Sequence, residues 1–431
     1  MALTTEPNRR ETKRPLIQWP FSFADSRLNP WRGLGGLPRE VWLLFATNLI
    51  NRAGMMVLPF LVVYLTRERH FSAGQAGLAL AFYGAAAIIA GPISGWLSDR
   101  IGALPIMRAS LLLSGSVLFL FPYAHSRAAV YAMTMVWAAC AELFRPASLA
   151  AITHVVSAEQ RKPAYALNRL AINLGMSIGP ALGGFLAAVS FRAMFVVDSL
   201  TTILAGLVLS LTTWHAATGG RTDARESSET RANARSLLHD KRLLVFLSGS
   251  FLVGIVFFQH ESALPLYLVQ YLGQSPAFYG TLFTINTLLI VALEVPLNRA
   301  TAQWPNSWAL FAGCMLFAIG FGSLAFVTSA TGVVVTVVFW TFGEMMLFPA
   351  MAAHLGEIAP ENKRGAYMGA YSMSLSVALA FGPWFGTQLL ASTGALGVWS
   401  VMFGLGALAA VLMVFGAPHR RQLRVAVVAE S

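Results

Sequence analysis

Residues 175–184 read Gly-Met-Ser-Ile-Gly-Pro-Ala-Leu-Gly-Gly, and residues 378–387 read Ala-Leu-Ala-Phe-Gly-Pro-Trp-Phe-Gly-Thr. The two stretches lie 203 positions apart and align Gly179-Pro180 with Gly382-Pro383 and Gly183 with Gly386. The same offset aligns Tyr64-Leu65 with Tyr267-Leu268, and Ser72 and Gly77 with Ser275 and Gly280. It also aligns Trp137 with Trp340, Pro146-Ala147 with Pro349-Ala350, and Arg161 with Arg364, with no gap from Tyr64 to Gly386. Ala or Leu matches carry little information in apolar sequence. Matched Trp, Pro, Arg and Gly-Pro at one constant offset mark an internal duplication.

What is duplicated follows from composition. Of 431 residues, 56% are apolar and only 11% charged, and the mean hydropathy is +0.62. A soluble domain carries about a quarter charged residues to face water; a chain solvated by lipid has no such need. Apolar runs recur at 39–66, 73–97, 104–123, 128–154, 164–189, 192–214, 243–272, 276–298, 307–327, 332–356, 366–390 and 394–416. Each is about the ~20 residues that a helix needs to cross hydrocarbon. The fold class expected is an all-α membrane protein of twelve transmembrane helices in two parallel six-helix repeats. Cys140 and Cys314 lie in separate apolar runs, so neither a disulfide framework nor a metal site is indicated.

Charge sets the expected topology. If both termini are cytoplasmic, 24 of the 30 Lys and Arg residues fall on the cytoplasmic side. Four (Arg67, Arg69, Arg127 and Arg192) fall on the other side, and Arg52 and Arg145 remain inside spans. That asymmetry obeys the positive-inside rule. The net charge of +11 therefore flanks membrane spans and does not interleave with aromatics as in a nucleic-acid binder. The expected layout is a cytoplasmic tail 1–38, a six-helix half 39–214, a polar linker 215–242, a second half 243–417 and a cytoplasmic tail 418–431. No cleaved signal peptide is indicated, and the Arg-rich, Ala- and Gly-rich composition points to a bacterial inner membrane.

Because the offset carries six spans onto six, the halves share one orientation. Parallel repeats of this kind belong to alternating-access transporters, with the substrate site between halves near the midplane. The absence of a P-loop, an HExxH motif or a Ser/His/Asp arrangement argues against an enzyme or an ATP-driven pump. It leaves an ion or substrate gradient as the driving force.

Two motifs carry a family resemblance. Gly95-Trp-Leu-Ser-Asp99-Arg100-Ile-Gly102 resembles the signature between spans two and three of the major facilitator superfamily. Gly175-x-x-x-Gly179-Pro180-x-x-Gly183-Gly184 resembles the fifth-span signature of its twelve-span drug/proton antiporters. Arg145 stands where that superfamily often places a buried arginine. The chain departs in having Ala103-Leu104-Pro105 where basic residues usually follow, and in lacking an Asp-Arg pair near Asn298 and Arg299. The resemblance implies the major facilitator fold, a conformational gate at Gly95, Asp99, Arg100 and Gly102, and a helix-packing face at Gly175, Gly179, Pro180, Gly183 and Gly184.

Ionisable residues inside spans mark cavities or partners, since they are costly in hydrocarbon. Glu261, Glu142, Glu344 and Asp198 are candidates for proton coupling, with Glu261 first because His260 is the only basic neighbour in its span. Glu142 and Arg145, three apart on one helix face, could instead form a structural ion pair. Asp198 could be an interfacial cap, and Glu344 a cavity wall or an interhelical hydrogen-bond partner. Asn48, Asn51, Arg52, Arg145 and His260 are candidates for a substrate cavity. The expected function is proton-coupled efflux of small lipophilic compounds by a chain that works as a monomer without a cofactor, Na⁺ staying open as the ion. An uptake or exchange carrier for a polar or anionic metabolite, with Arg52 and Arg145 as clamps, is the alternative. A non-transporting receptor or enzyme is a remote one.

Overall fold

The computed structural model describes residues 36–157, 160–212, 239–360 and 363–416. Among these residues the chain is helical almost throughout and has no strand. The membrane-length helices of the first half are α1 Arg39–Arg67, α2 Ala73–Ile101, α3 Ala103–Tyr123, α4 Arg127–Val155, α5 Arg161–Val189 and α6 Phe191–Ser210. The second half has α7 Lys241–Tyr271, α8 Pro276–Ala300, α9 Asn306–Ala325 and α10 Ala330–Ile358, then one run Arg364–Gly416 of 53 residues. At ~1.5 Å per residue that run would be about 80 Å long, over twice the hydrocarbon thickness. Gly394, with φ 70° and ψ −171°, divides it into α11 (364–393) and α12 (395–416). This backbone region is open essentially to glycine alone. Twelve spans result, as the apolar runs imply.

Three spans are broken, each by a proline four residues on. A proline removes the hydrogen bond to the carbonyl four residues earlier and crowds it. Pro59 opens α1 at Met55, whose ψ is 87°. Pro146 interrupts α4 after Ala141. Pro265 faces a break in α7, where Phe258–Glu261 winds as 3₁₀ and Ser262 leaves the helical region. The freed amides of Met56 and Val57 donate to Asp198 Oδ2 at 2.9 and 2.8 Å. Asp198 is therefore a cap inside the bundle, placed where the N-terminus of a helix favours negative charge.

The duplication is visible in the packing. A Cβ at Gly179 would lie 2.7 Å from the Arg52 carbonyl oxygen, and one at Gly183 would lie 2.9 Å from Met56 Cβ. Shifted by the same offset, Gly382 rests on Ile255 and Gly386 on Gln259. So α5 and α11 each lie along the break of the first span of their own half. Between halves, Gly280 of α8 abuts the Pro180 carbonyl of α5, while Gly77 of α2 abuts Thr387 and the Pro383 carbonyl of α11. These α5–α8 and α2–α11 seams close the same end of the bundle, away from the α2–α3 connection. Toward that connection α2 and α11 separate. Gly91 and Gly95 continue the face of Gly77 and Gly84 at 100° per residue, yet a Cβ on either, or on Gly369 of α11, meets nothing within 4 Å. The α5–α8 seam is bridged at this open end by Arg169 Nη2 and Glu294 Oε1 at 2.8 Å.

Asp240 ends the central polar segment and caps α7, accepting from the amides of Arg242 and Leu243 at 2.9 and 3.2 Å. Tyr367 of α11 donates its hydroxyl to Asp240 Oδ2 at 2.5 Å. Burial pushes the carboxyl up, but the Tyr367 hydroxyl and the two amides outweigh it and hold the group below its ordinary 3.8. A carboxylate with a lowered value stabilises the fold above its ordinary range and loses that contribution as pH falls through the lowered value. Asp240→Ala is expected to cost about 1 kcal/mol, typical of a lost N-cap. The deficit against wild type should be constant at neutral pH and shrink below pH 3.8. Thermal unfolding in detergent across pH would check both.

Candidate functional site

Four helices converge on the clearest cavity, which has a volume of about 140 Å³. Asn173 and Met176 of α5 form one wall; Phe257 and His260 of α7, Asn286 of α8 and Glu344 of α10 are among the residues of the others. The cavity therefore lies between the halves, just beyond the glycine-packed part of the α5–α8 seam. Its size matches the ~150 Å³ that holds a benzene-sized guest. Asn286 donates to Glu344 Oε2 and to Thr341 Oγ1, both at 3.0 Å. Glu344 is thus both a cavity wall and an interhelical partner. The aromatic lining, Phe257, Phe283 and Trp340, surrounds the His260 imidazole at centroid distances of 4.5, 5.8 and 6.2 Å. His260 Nε2 lies 3.6 Å from Glu261 Oε1, and both residues are buried.

A smaller cavity of about 50 Å³ lies within the first half, lined by Asn51, Arg52, Tyr83, Trp137, Glu142 and Asp198 among others. Tyr83 donates to Glu142 Oε1 at 2.8 Å, and Trp137 packs edge-on against Tyr83 at 5.2 Å. Arg52 Nη1 approaches Met55 Sδ at 3.0 Å, while its Nε is buried with no hydrogen-bond partner among the described residues.

Other sequence candidates fall elsewhere. Asn48 donates to Asn168 Oδ1 at 2.9 Å and to the Leu44 carbonyl, tying α1 to α5, and it does not line the Arg52 cavity. The Glu142–Arg145 pair does not form. Two ion pairs exist among the described residues, Arg169–Glu294 and His260–Glu261. Glu142 accepts from Tyr83 instead, and Arg145 stands exposed. Asp99 and Arg100 are exposed at the open end. Arg100 lies over the Trp96 ring at 4.4 Å, and Asp99 has no ion pair among the described residues. Among the described residues the gate stretch makes no ion pair with the second half. Gly175, Gly179 and Gly183 all pack on the break of α1, and Gly184 packs on Pro276 and Ala277 of α8.

The sequence reading missed Tyr83 and Asn286, although they are 203 positions apart. Each is a polar donor from the second span of its half to a carboxylate on the fourth. The carboxylates themselves, Glu142 and Glu344, are offset by 202, so an alignment at 203 separates them. Glu142 occupies the Pro146 break, whereas α10 stays continuous through Pro349. That difference accommodates the one-residue shift and keeps the two hydrogen bonds equivalent.

Twelve spans in two parallel halves, enclosing an interfacial cavity with a buried carboxylate, define a membrane transporter of the two-half type. The chain belongs to the Major Facilitator Superfamily, whose family profile matches residues 43–275 and 261–429. It is 26% identical to the uncharacterized MFS-type transporter YqjV of Bacillus subtilis, over 87% of this chain and 92% of that protein. It is 24% identical to the Na(+), Li(+), K(+)/H(+) antiporter of Planococcus maritimus, over 78% and 88% of the two chains. The multidrug resistance protein MdtH of Aeromonas salmonicida is also 24% identical, over 78% and 84%. Among solved structures, a POT family transporter in complex with 5-aminolevulinic acid superposes with a TM-score of 0.74 at 14% identity, covering 88% of this chain and 96% of that one. A D-xylose-proton symporter gives 0.70 at 16% identity, covering 88% and 97%. At such identities these two structures establish the fold and nothing more specific.

Proposed function

We propose that the chain exports small lipophilic compounds in exchange for protons by alternating access between the halves 39–214 and 243–417. The observation that carries this reading is the interfacial cavity, whose wall joins an apolar side of Met176, Phe257, Phe283, Ile290 and Trp340 to the carboxylate Glu344 held by Asn286. An apolar surface takes up a lipophilic guest, and a carboxylate in the same wall is a group that can take up and release a proton. The names of the antiporter and multidrug-resistance relatives support the same direction. In this reading both termini are cytoplasmic, the membrane is a bacterial inner membrane, and one chain suffices. The open end faces the cytoplasm, where a compound to be exported would enter, and the Asp99 stretch meets the second half when that end closes.

The test is purified protein in sealed vesicles with an imposed pH gradient, internal pH being followed while ethidium is added. Ethidium movement against proton movement is expected, and Glu344→Gln should lower the coupled flux at least about tenfold, which is about 1.4 kcal/mol on the barrier. Flux that is independent of the pH gradient would sink proton coupling, and a sodium gradient would then be the next to impose. A second reading, uptake or exchange of a polar or anionic metabolite, draws on Arg52, whose buried Nε lacks a partner. Net flux inward with the proton gradient, lost in Arg52→Lys, would favour it.

A further inference from the structure

Of the 30 basic residues, Arg67, Arg69, Arg127 and Arg192 lie at the glycine-sealed end of the bundle, and all four belong to the first half. The corresponding connections of the second half, 272–275, 326–329 and 391–394, contain no Asp, Glu, Lys or Arg. The charge bias that orients membrane spans depletes this side of basic residues, so a cluster retained on one half calls for a reason of its own.

Three of the four lie on aromatic rings. The guanidinium carbon is 5.6 Å from the centre of the Tyr64 ring for Arg69, 6.0 Å from Phe71 for Arg127 and 5.6 Å from Tyr123 for Arg192. Arg69 is half-buried and has its donors engaged. Nε donates to the Tyr64 hydroxyl at 2.7 Å and Nη2 to the Pro122 carbonyl, while Nη1 lies 3.3 Å from His125 Nδ1. It fixes the α3–α4 turn and is a positioning residue. Arg127 and Arg192 are exposed. Of their side-chain donors only Arg192 Nη2 is engaged among the described residues, with the Tyr123 hydroxyl at 2.9 Å. Glu68, the one carboxylate in these connections, forms no ion pair among the described residues. A guanidinium held flat on a ring keeps its in-plane N–H groups available, and their fork matches phosphate oxygens.

The cluster stands at the head of an apolar surface. α3 and α6 pack closely, for a Cβ on Gly115 would lie 3.0 Å from the Ser199 carbonyl oxygen and one on Gly206 3.1 Å from Leu111 Cβ. On the outward side of this pair, Leu113, Leu120 and Tyr123 of α3 are exposed at spacings of seven and three residues. Arg192, Leu200 and Leu204 of α6 are exposed at spacings of eight and four. Such spacings keep side chains on one side of a helix. The bond from Arg192 to Tyr123 joins the two stripes at their charged end.

We propose that this surface holds an anionic phospholipid, its phosphate on Arg192, its acyl chains along the α3–α6 face, and Arg127 adding charge from across the turn. The match is one of charge and of length: cationic at the end of the spans, apolar below it, and turned toward the bilayer. A soluble anion would use the charge and leave the leucine stripes without a role. Because the second half carries no charge at this end, the lipid is held by the first half alone. That half is tethered to the headgroup plane while the other moves against it. Lipid binding here is independent of the direction of transport and of the driving ion.

The test reads the site locally. Full-length protein with Cys140→Ser carries bimane at Leu120→Cys; Cys314 is fully buried and stays unlabelled. It is reconstituted in phosphatidylcholine vesicles in which a fixed fraction of the lipid has brominated chains, either phosphatidylglycerol or phosphatidylcholine. Brominated phosphatidylglycerol is expected to quench as though enriched at least about fivefold over its bulk fraction, the factor one arginine supplies near an anionic surface. Brominated phosphatidylcholine should show no enrichment. Arg127→Gln/Arg192→Gln should bring the two lipids level. Arg39→Gln/Arg242→Gln removes the same charge from exposed positions at the opposite end and should leave the enrichment intact. Equal quenching by both lipids in the unsubstituted site, enrichment that survives Arg127→Gln/Arg192→Gln, or an equal loss in Arg39→Gln/Arg242→Gln would each overturn the proposal. Enrichment abolished by millimolar glycerol phosphate would overturn the lipid assignment in favour of a free phosphate ester.

Discussion

Gly179→Leu is expected to lose transport by at least about a hundredfold and to reduce the yield of folded protein. A Cβ there would meet the Arg52 carbonyl at 2.7 Å and the Met55 carbonyl at 3.0 Å. Both are backbone atoms at the break of α1, so no side chain can rotate away, and forced overpacking costs ~1–3 kcal/mol or more. The strain falls where α5 must lie along α1 and, at the very next residue, where the Pro180 carbonyl meets Gly280 of the other half. Close backbone approach through small residues is how membrane helices pack without a hydrophobic driving force between them. Gly91→Leu is the matched control, because nothing lies within 4 Å of a Cβ there, and it should fold as wild type does. Vesicle transport normalised to the monodisperse fraction checks both, and equal behaviour of the two variants would sink the packing argument.

The second large effect is expected at Asp198, with a contrast between two substitutions. Asp198→Leu leaves the Met56 and Val57 amides buried without an acceptor, at ~1–3 kcal/mol each, and removes the negative charge from a helix N-terminus. The total is on the order of 3 kcal/mol or more, enough to release the second half of α1. Asp198→Asn keeps a carbonyl oxygen toward the amides and should lose about half as much. The asparagine variant, once folded, is expected to keep proton-coupled flux, because the geometry gives this carboxylate a structural partner at both oxygens. A folded Asp198→Asn protein that transports without moving protons would show that this cap is also a proton carrier.

The spans, the repeat and the family were legible because they depend on long-range averages. Hydrophobic length and a constant offset survive individual substitutions. The site was only partly legible. Glu344 and His260 stood out as ionisable groups in apolar runs, and they do line one cavity. Glu142 and Arg145 invited pairing because an unbroken helix puts positions three apart on one face. The backbone from Glu142 to Arg145 stays in the helical region, yet Glu142 takes a donor from another span and Arg145 turns outward. What no periodicity could supply was pairing across helices, such as Tyr83 with Glu142 or Asn286 with Glu344. These contacts depend on which spans are neighbours, and helix order in a bundle is not written in any one helix.

Gly394 has a practical consequence for topology mapping. α11 passes into α12 through one residue whose backbone angles suit glycine alone, so at that face no loop is available to accept an epitope tag, a cysteine label or a protease. An inserted reporter would have to unwind a helical end on one side, and its failure to express would say nothing about which compartment the turn faces. Reporters placed after Gly273, where the chain turns between α7 and α8 with φ 62° and a Cβ would meet nothing within 4 Å, avoid that ambiguity while sampling the same face.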